Sequence, residues 1–124
     1  MTTHANEPGA TLERLFHEPS RLAILSALCA AREGIPFPDL RDACGLTDGN
    51  LNRHLKSLET AGVVRIRKAF VNDRPRTTIA VTPPGLVRFN LYLENLSAVL
   101  RAARRAAAGE HAALHAPRPA RARA

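Results

Sequence analysis

The stretch that decides the fold is residues 46–62, which read LTDGNLNRHLKSLETAG. Thr47 suits an N-cap, because its hydroxyl can accept a hydrogen bond from an amide of the first helical turn. Gly62 supplies the left-handed residue that commonly ends a helix. Between these two positions lie Leu51, Leu55 and Leu58, which have the spacing of residues on one face of a helix. The sequence therefore predicts an amphipathic helix with a leucine-lined buried side.

The opposite side of this helix carries polar and cationic side chains and no acid, namely Gly49, Asn50, Arg53, Lys56, Ser57 and Thr60. In the major groove of DNA, Asn pairs with adenine and Arg with guanine. We therefore expect a DNA recognition helix. An ordinary solvent-exposed amphipathic helix would fit the same segment. The rest of the chain is therefore needed to distinguish these two interpretations. The predicted contacts from this helix are Thr47, Asn50, Asn52, Arg53, Lys56 and Ser57.

Net charge is concentrated in two parts of this 124-residue chain, whose formal total is +7. Residues 50–76 hold seven Lys and Arg against two acids, and residues 101–124 hold six Arg against one Glu, whereas residues 1–49 are acidic overall. Such basic segments indicate a polyanionic partner. The length suits one domain, and neither a signal peptide nor a membrane-spanning run is present in the sequence. We expect a cytoplasmic protein with no membrane contact.

The residues before this helix predict three shorter helices. After a flexible start over residues 1–10, apolar spacing favours a short helix over residues 11–17, and Pro19 fits the first turn of a central helix over residues 20–32. Ile35-Pro36-Phe37 should be an extended link, because Pro36 and Pro38 exclude a helix interior. A helix over residues 39–44 then leads through Gly45 into the recognition helix, which is the order of a helix-turn-helix.

After Gly62 the apolar period changes from 3.6 to 2. Residues 64–67 and 77–82 alternate apolar and polar side chains, separated by a polar break at residues 72–76. This pattern predicts a β-hairpin with a basic tip, as in the wing of a winged-helix domain. Arg74 and Arg76, with Pro75 between them to stiffen the tip, suit a narrow minor groove, where the negative potential is strongest.

A long helix should follow, beginning near residue 83 and ending near residue 108. Its apolar positions repeat with the heptad and run further than a small core can cover. We therefore expect a dimer surface, although a helix packed wholly against its own domain remains an alternative. The predicted interface is Leu12, Leu15, Phe16, Leu86, Phe89, Leu93, Leu96 and Leu100. Residues 11–108 form the predicted domain, with residues 83–108 as its dimerisation helix and residues 109–124 as a disordered basic tail.

Three segments of the chain resemble the small winged-helix transcriptional regulators of the MarR and ArsR superfamilies. They are EPSRLAIL at residues 18–25, LTDGNLNRHLKSL at residues 46–58 and AGVV at residues 61–64. The order of these signals, with the RPRT wing at residues 74–77 and TPPG at residues 82–85, resembles the stand-alone subgroup. The resemblance implies a mainly α fold with a small β-hairpin, and a homodimer that binds a palindromic operator in double-stranded DNA and commonly acts as a repressor.

The sequence departs from the metal-sensing members of the ArsR group. Where those proteins carry a Cys-x-Cys-Asp-Leu motif, this chain has Pro36-Phe37-Pro38-Asp39-Leu40, and proline cannot replace a thiolate ligand. We expect no metal site, no cofactor and no enzymatic activity, because phosphate loops, paired carboxylates and an activated nucleophile are all missing from the sequence. Cys29 and Cys44 have apolar neighbours and should be buried reduced thiols.

Two other functions fit parts of the sequence. A general, nucleoid-type DNA binder is favoured by the arginine-rich end, and a protein-interaction module is compatible with the fold. A small apolar effector could also bind between the long helix and the core, near Phe16, Phe89 and Tyr92.

Overall fold

The structure, a computed structural model, describes residues 12–115, with side chains from residue 12 to residue 109. Its elements are α1 (Pro19–Ala30), β1 (Ile35–Pro36), α2 (Phe37–Cys44), α3 (Asp48–Thr60), β2 (Val64–Val71), β3 (Arg74–Val81) and α4 (Pro83–His115). The three strands form one antiparallel sheet in the order β1-β3-β2. This is the predicted winged helix-turn-helix arrangement.

The ends of α3 follow the sequence prediction. The Thr47 hydroxyl accepts from the backbone N–H of Asn50 at 3.2 Å, so that it caps the first turn. At the other end, Gly62 has a φ of +77°, and the next backbone N–H, that of Val63, donates to the Leu58 carbonyl at 2.9 Å. These two caps fix both the start of α3 and the direction in which the chain leaves it.

The sheet has one more strand than we predicted. Ile35 and Pro36, which we expected to form an extended link, pair with Ile79 and Thr78 of β3. Two residues are too few to show an alternating pattern, so the sequence predicted their extended backbone but not their partner.

The hairpin is also longer than expected. Only Asn72 and Asp73 form its turn, with φ of 53° and 63°, as in a two-residue type I′ turn. Arg74, Pro75 and Arg76, which we placed in the break, belong to β3. Proline is tolerated there because β1 reaches only as far as Thr78.

The predicted helix over residues 11–17 is wrong for the part that the structure describes. Residues 12–17 contain a single turn, in which the backbone N–H groups of Phe16 and His17 donate to the Glu13 carbonyl at 3.2 and 3.1 Å. So short a segment gains too few hydrogen bonds to offset helix nucleation. In addition, the Glu18 side chain caps α1 and so ends the preceding segment.

The end of α4 differs from our prediction as well. The helix continues to His115, so residues 109–115, which we assigned to a disordered tail, are helical. Alanine is the best helix former, and the helix continues into these residues from the Ala-rich stretch at residues 102–108. The predictions for residues 1–11 and 116–124 lie outside the described residues.

Aromatic rings join the N-terminal segment to α4 inside the core. Phe16, Phe89 and Tyr92 are buried, and the centroid of the Phe16 ring lies 5.6 Å from that of Phe89 and 5.5 Å from that of Tyr92. Phe16 and Phe89 therefore offer no surface to a second copy, which corrects their place in the predicted interface. Heptad spacing cannot distinguish a side chain that packs on its own core from one that packs on a partner. The three rings also fill the space where we expected an effector to bind.

The other predicted interface residues differ in exposure. Leu12, Leu15, Leu86 and Leu96 are half-buried against the core. Leu93 and Leu100 are 37% and 44% exposed. Within α4, Val87 and Leu91 are large exposed apolar side chains that we did not assign, and they lie on another side of the helix.

Both cysteines are half-buried and unpaired. Burial raises the pKa of the Cys29 thiol and of the Cys44 thiol, so that both stay protonated near neutral pH. Both thiols are less buried than we predicted, and their reduced state stays a prediction.

Candidate nucleic-acid interface

The two faces of α3 are separated as the sequence predicted. Its leucines are almost completely buried, with exposures of 0%, 2% and 0% for Leu51, Leu55 and Leu58. The predicted contact residues on the other side are exposed except for Ser57, which is half-buried and donates its hydroxyl to the Arg53 carbonyl at 3.4 Å. The exposed members of this outer face are Thr47, Asn50, Asn52, Arg53 and Lys56.

The outer face of α3 has little internal hydrogen bonding. Arg53 donates to the Asn50 side-chain oxygen at 3.5 Å, which is the long limit for such a bond. Because this bond is weak, both side chains can exchange it for a base edge or a phosphate at small cost.

Arg41 changes the charge at the start of α3. Its guanidinium lies 2.9 Å from carboxylate oxygens of both Asp42 and Asp48, and these two hydrogen bonds raise the pKa of Arg41 above its usual value. Asp48 lies in the first turn of α3, where its charge would otherwise repel a phosphate. Pairing with Arg41 offsets that repulsion. The sequence did not predict this pair, because seven residues separate its members.

The strand register sorts the basic side chains of the wing into two faces. Lys68 pairs with Thr77 on the same face as the pair of half-buried Ile66 and buried Ile79. Arg65, Arg67, Arg74 and Arg76 occupy the alternate positions and therefore share the opposite face. Arg74 and Arg76 thus form one surface with Arg65 and Arg67.

A groove separates α3 from the wing. It is lined by Asn52, Arg53 and Lys56 on the helix and by Ile66, Lys68 and Thr77 on the sheet. Glu59 is also at its edge, so that three cations and one acid line it. The groove brings Lys68 opposite α3, and this arrangement depends on how the hairpin packs against the helix.

His54 connects the buried side of α3 to α1. It is only 4% exposed, as expected for a packing residue, and its Nδ1 accepts from Arg21 Nε at 3.1 Å. Arg21 in turn donates to the Leu15 carbonyl, and a Glu18 carboxylate oxygen lies 4.0 Å from His54 Nε2. Burial lowers the pKa of His54, with Arg21 and Arg53 acting in the same direction and Glu18 opposing them. The imidazole is therefore neutral at pH 7.

We expect the free energy of unfolding to fall as the pH is lowered below about 6.5, the usual pKa of histidine. Because the folded-state pKa of His54 lies below that value, the unfolded chain binds a proton first, and acid favours it. Urea unfolding between pH 7.5 and 5 measures this effect. His54→Asn, which keeps an acceptor and cannot titrate, should show a smaller loss of stability over this range. Equal losses in the two proteins would show that His54 is not responsible.

The C-terminal end of α3 is held by α4 and the N-terminal segment. Arg88 donates to the Ala61 carbonyl at 2.9 Å, pairs with Glu13 at 2.8 Å and lies 5.7 Å from the centroid of the Phe16 ring. The Thr82 hydroxyl donates to the Gly62 carbonyl at 2.6 Å. Arg88 thereby fixes the orientation of the outer face without belonging to it, and nothing in the sequence around Arg88 indicates this role.

Comparison with known families supports the assignment made from this geometry. Residues 20–100 match the family described as Winged helix DNA-binding domain. The chain belongs to this family. An uncharacterized protein of Methanocaldococcus jannaschii is 39% identical to this winged-helix protein over 80 residues, which cover 64% of this chain and 86% of the relative.

Solved structures share the fold of this winged-helix protein. A transcriptional regulator homologue from Pyrococcus horikoshii superposes with a TM-score of 0.67 at 34% identity, covering 71% of this chain and 86% of that one. A MarR-family regulator from Silicibacter pomeroyi gives a TM-score of 0.56 at 21% identity, covering 84% and 76%. The fold is thus that of MarR-type regulators, and the family consists of DNA-binding regulators rather than enzymes.

Two features are absent from the described part of the chain. No cluster of three or more His, Cys, Asp or Glu side chains suited to a metal ion occurs among residues 12–109. None of the described helices has the length and apolar character needed to cross a membrane.

Proposed function

We propose that this winged-helix protein is a homodimeric, cytoplasmic repressor that binds a palindromic operator in double-stranded DNA. The observation that carries this proposal is the outer face of α3, where exposed Asn and Arg side chains have no structural role that would hold them in place. Since the caps and the buried leucines already fix the helix, the outer face is available for base edges.

We assign different parts of the duplex to different elements. The outer face of α3 lies in the major groove, with Asn50, Asn52 and Arg53 nearest the bases. The groove between α3 and the wing receives the phosphate backbone, because Lys56 and Lys68 line its two sides. The arginine face of the wing, including Arg74 and Arg76, approaches the adjacent minor groove. Thr47 and Ser57 supply further polar contacts at the ends of this surface.

The second copy is assigned to α4. Within the predicted interface, Leu93 and Leu100 are the exposed apolar side chains, and α4 extends well beyond the core that Phe89 and Tyr92 contact. A two-fold dimer would place the two α3 helices in successive major grooves, about one helical turn of DNA apart. A protein bound in this way occludes the promoter from polymerase, which is the physical basis of repression.

A small apolar effector remains part of the proposal. The structure of NadR in complex with 4-hydroxyphenylacetate has the same fold, with a TM-score of 0.56 at 21% identity over 81% of this chain and 72% of that one. In this protein an effector would have to displace part of the Phe16, Phe89 and Tyr92 cluster, since those rings pack against one another. Such a change would reach α3 through Arg88, which contacts both Phe16 and Ala61.

Selection of bound duplexes from a random pool tests this function. We expect a palindrome with two half-sites. A general DNA binder would enrich no motif, and a protein-interaction module would show no salt-dependent retention on DNA.

Arg53→Ala and Arg76→Ala should then affect the selected duplex differently. Arg53→Ala should relax the preference at one base pair in each half-site, by about 1–3 kcal/mol of discrimination. Arg76→Ala should weaken binding to all duplexes and reduce the salt dependence, by about one phosphate contact per protomer. Titrations of matched and mismatched duplexes at several salt concentrations separate the two effects. Wild-type behaviour of both variants would overturn the roles that we assign.

A further inference from the structure

The end of the wing carries an exposed aromatic side chain. Phe70 is 77% exposed, the largest exposed fraction among the large hydrophobic side chains of the described residues. It pairs across the hairpin with Pro75, which is also exposed, next to the Asn72–Asp73 turn. An aromatic side chain this exposed gains little from the fold of its own chain.

The position of Phe70 follows from the alternation along β2. The face that begins with buried Val64 and half-buried Ile66 continues with Lys68 and ends with Phe70. Strand geometry places Phe70 about 7 Å beyond Lys68, and therefore about 7 Å beyond the groove that Lys68 shares with α3. If that groove holds a phosphate backbone, the next feature of a duplex in this direction is the minor groove.

The charges around Phe70 identify the class of partner. Lys68 precedes it on the same face, and Arg67, Arg74 and Arg76 lie on the opposite face of the same hairpin. Asp73, in the turn, is the one acidic residue among residues 64–81. An apolar tip surrounded by four cations would be repelled by a second copy of itself, whereas a polyanion with apolar base steps matches both properties.

We propose that Phe70, supported by Pro75, is a wedge that enters the minor groove and partly unstacks one base step beside each half-site. Apolar side chains inserted in this way kink DNA by ~20–90° toward the major groove. This inference rests on the proposed function, because it requires that α3 occupy the neighbouring major groove. In this role Phe70 changes the shape of the bound DNA. The protein would then prefer operators whose flanks contain flexible pyrimidine–purine steps.

The test uses the full chain and the duplex selected by the wild-type protein. 2-Aminopurine, which fluoresces more strongly when it is unstacked, replaces adenine at successive flanking positions, and circularly permuted fragments report the bend. We expect increased fluorescence at one step beside each half-site. Phe70→Ala should abolish this increase and reduce the bend, while weakening binding by about tenfold or less. Phe70→Leu should keep part of both signals, because it keeps an apolar side chain.

Val71→Ala is the matched control, since Val71 lies at the same tip but on the arginine face and pairs with Arg74. It should keep the fluorescence increase and the bend. If the wild-type protein binds its selected duplex with neither signal, or if Phe70→Ala keeps both signals, the wedge is refuted and the proposed function stands. If the selection enriches no duplex, the proposed function itself fails, and it does so before any fluorescence is measured.

Discussion

Replacing Gly85 with alanine is expected to lower the free energy of unfolding by about 3 kcal/mol. Gly85 lies in the first turn of α4, directly against the backbone of Val63. A Cβ atom at this position would lie 2.7 Å from the Val63 Cα and 2.8 Å from its carbonyl carbon, closer than real Cβ contacts allow. The clash is with backbone rather than with a flexible side chain, so α4 or the backbone of Val63 has to move.

The surroundings of Val63 make that movement costly. Its carbonyl accepts from the Thr82 backbone N–H at 2.9 Å and from the Thr82 hydroxyl at 3.1 Å, and its N–H donates to the Leu58 carbonyl. A shift of α4 therefore disturbs the end of α3 as well. Urea unfolding measures the loss, and Gly49→Ala provides the control, because a Cβ atom there meets nothing within 4 Å. Gly49→Ala should be neutral or stabilising by up to about 1 kcal/mol. A Gly85→Ala protein as stable as wild type would contradict the packing of α4 described above.

The double substitution Leu93→Asp and Leu100→Asp is expected to produce a folded monomer that binds the palindromic duplex about 100-fold or more weakly. Both side chains are substantially exposed in the single chain, so the core should tolerate the change. Two carboxylates on each copy would oppose association through desolvation and mutual repulsion. Each half-site would then be bound independently, and the gain from linking the two recognition helices would be lost.

Sedimentation and titration of the duplex measure the two parts of this prediction. Val87→Asp with Leu91→Asp is a matched comparison, because it places the same charges on another exposed apolar side of α4. That protein should remain dimeric and bind as the wild type does. The reverse outcome, in which the Val87 and Leu91 variant is the monomer, would move the interface to that side of the helix.

Local chemistry explains what the sequence could predict of the fold. The caps at Thr47 and Gly62 and the leucine spacing of α3 are properties of neighbouring residues, and the structure reproduces them. In contrast, β1 is two residues long and is defined by its pairing with β3, which no local pattern encodes. The helix expected over residues 11–17 had apolar spacing but lacked the length that helix nucleation requires.

The candidate site divides in the same way. The outer face of α3 could be read from the sequence, because a helix with one buried side fixes its other side. Three features depend on contacts between separate segments, which the sequence pattern does not show. They are the Arg41–Asp48 pair, the hydrogen bond from Arg88 to the Ala61 carbonyl, and the groove that brings Lys68 opposite α3. Arg74 and Arg76 lie on the sheet face opposite to Lys68. The alternation of side chains within each strand could not predict this, because the turn determines which residues of the two strands pair.

The central claim is that the outer face of α3 reads base edges in the major groove. Methylation of guanine N7, which lies in the major groove, tests it directly when the selected duplex is modified before binding. We expect methylated guanines in two half-sites, about one helical turn apart, to prevent binding by the wild-type protein, and Arg53→Ala to be insensitive to one of them in each half-site. Binding that is indifferent to N7 methylation throughout the duplex would contradict the claim.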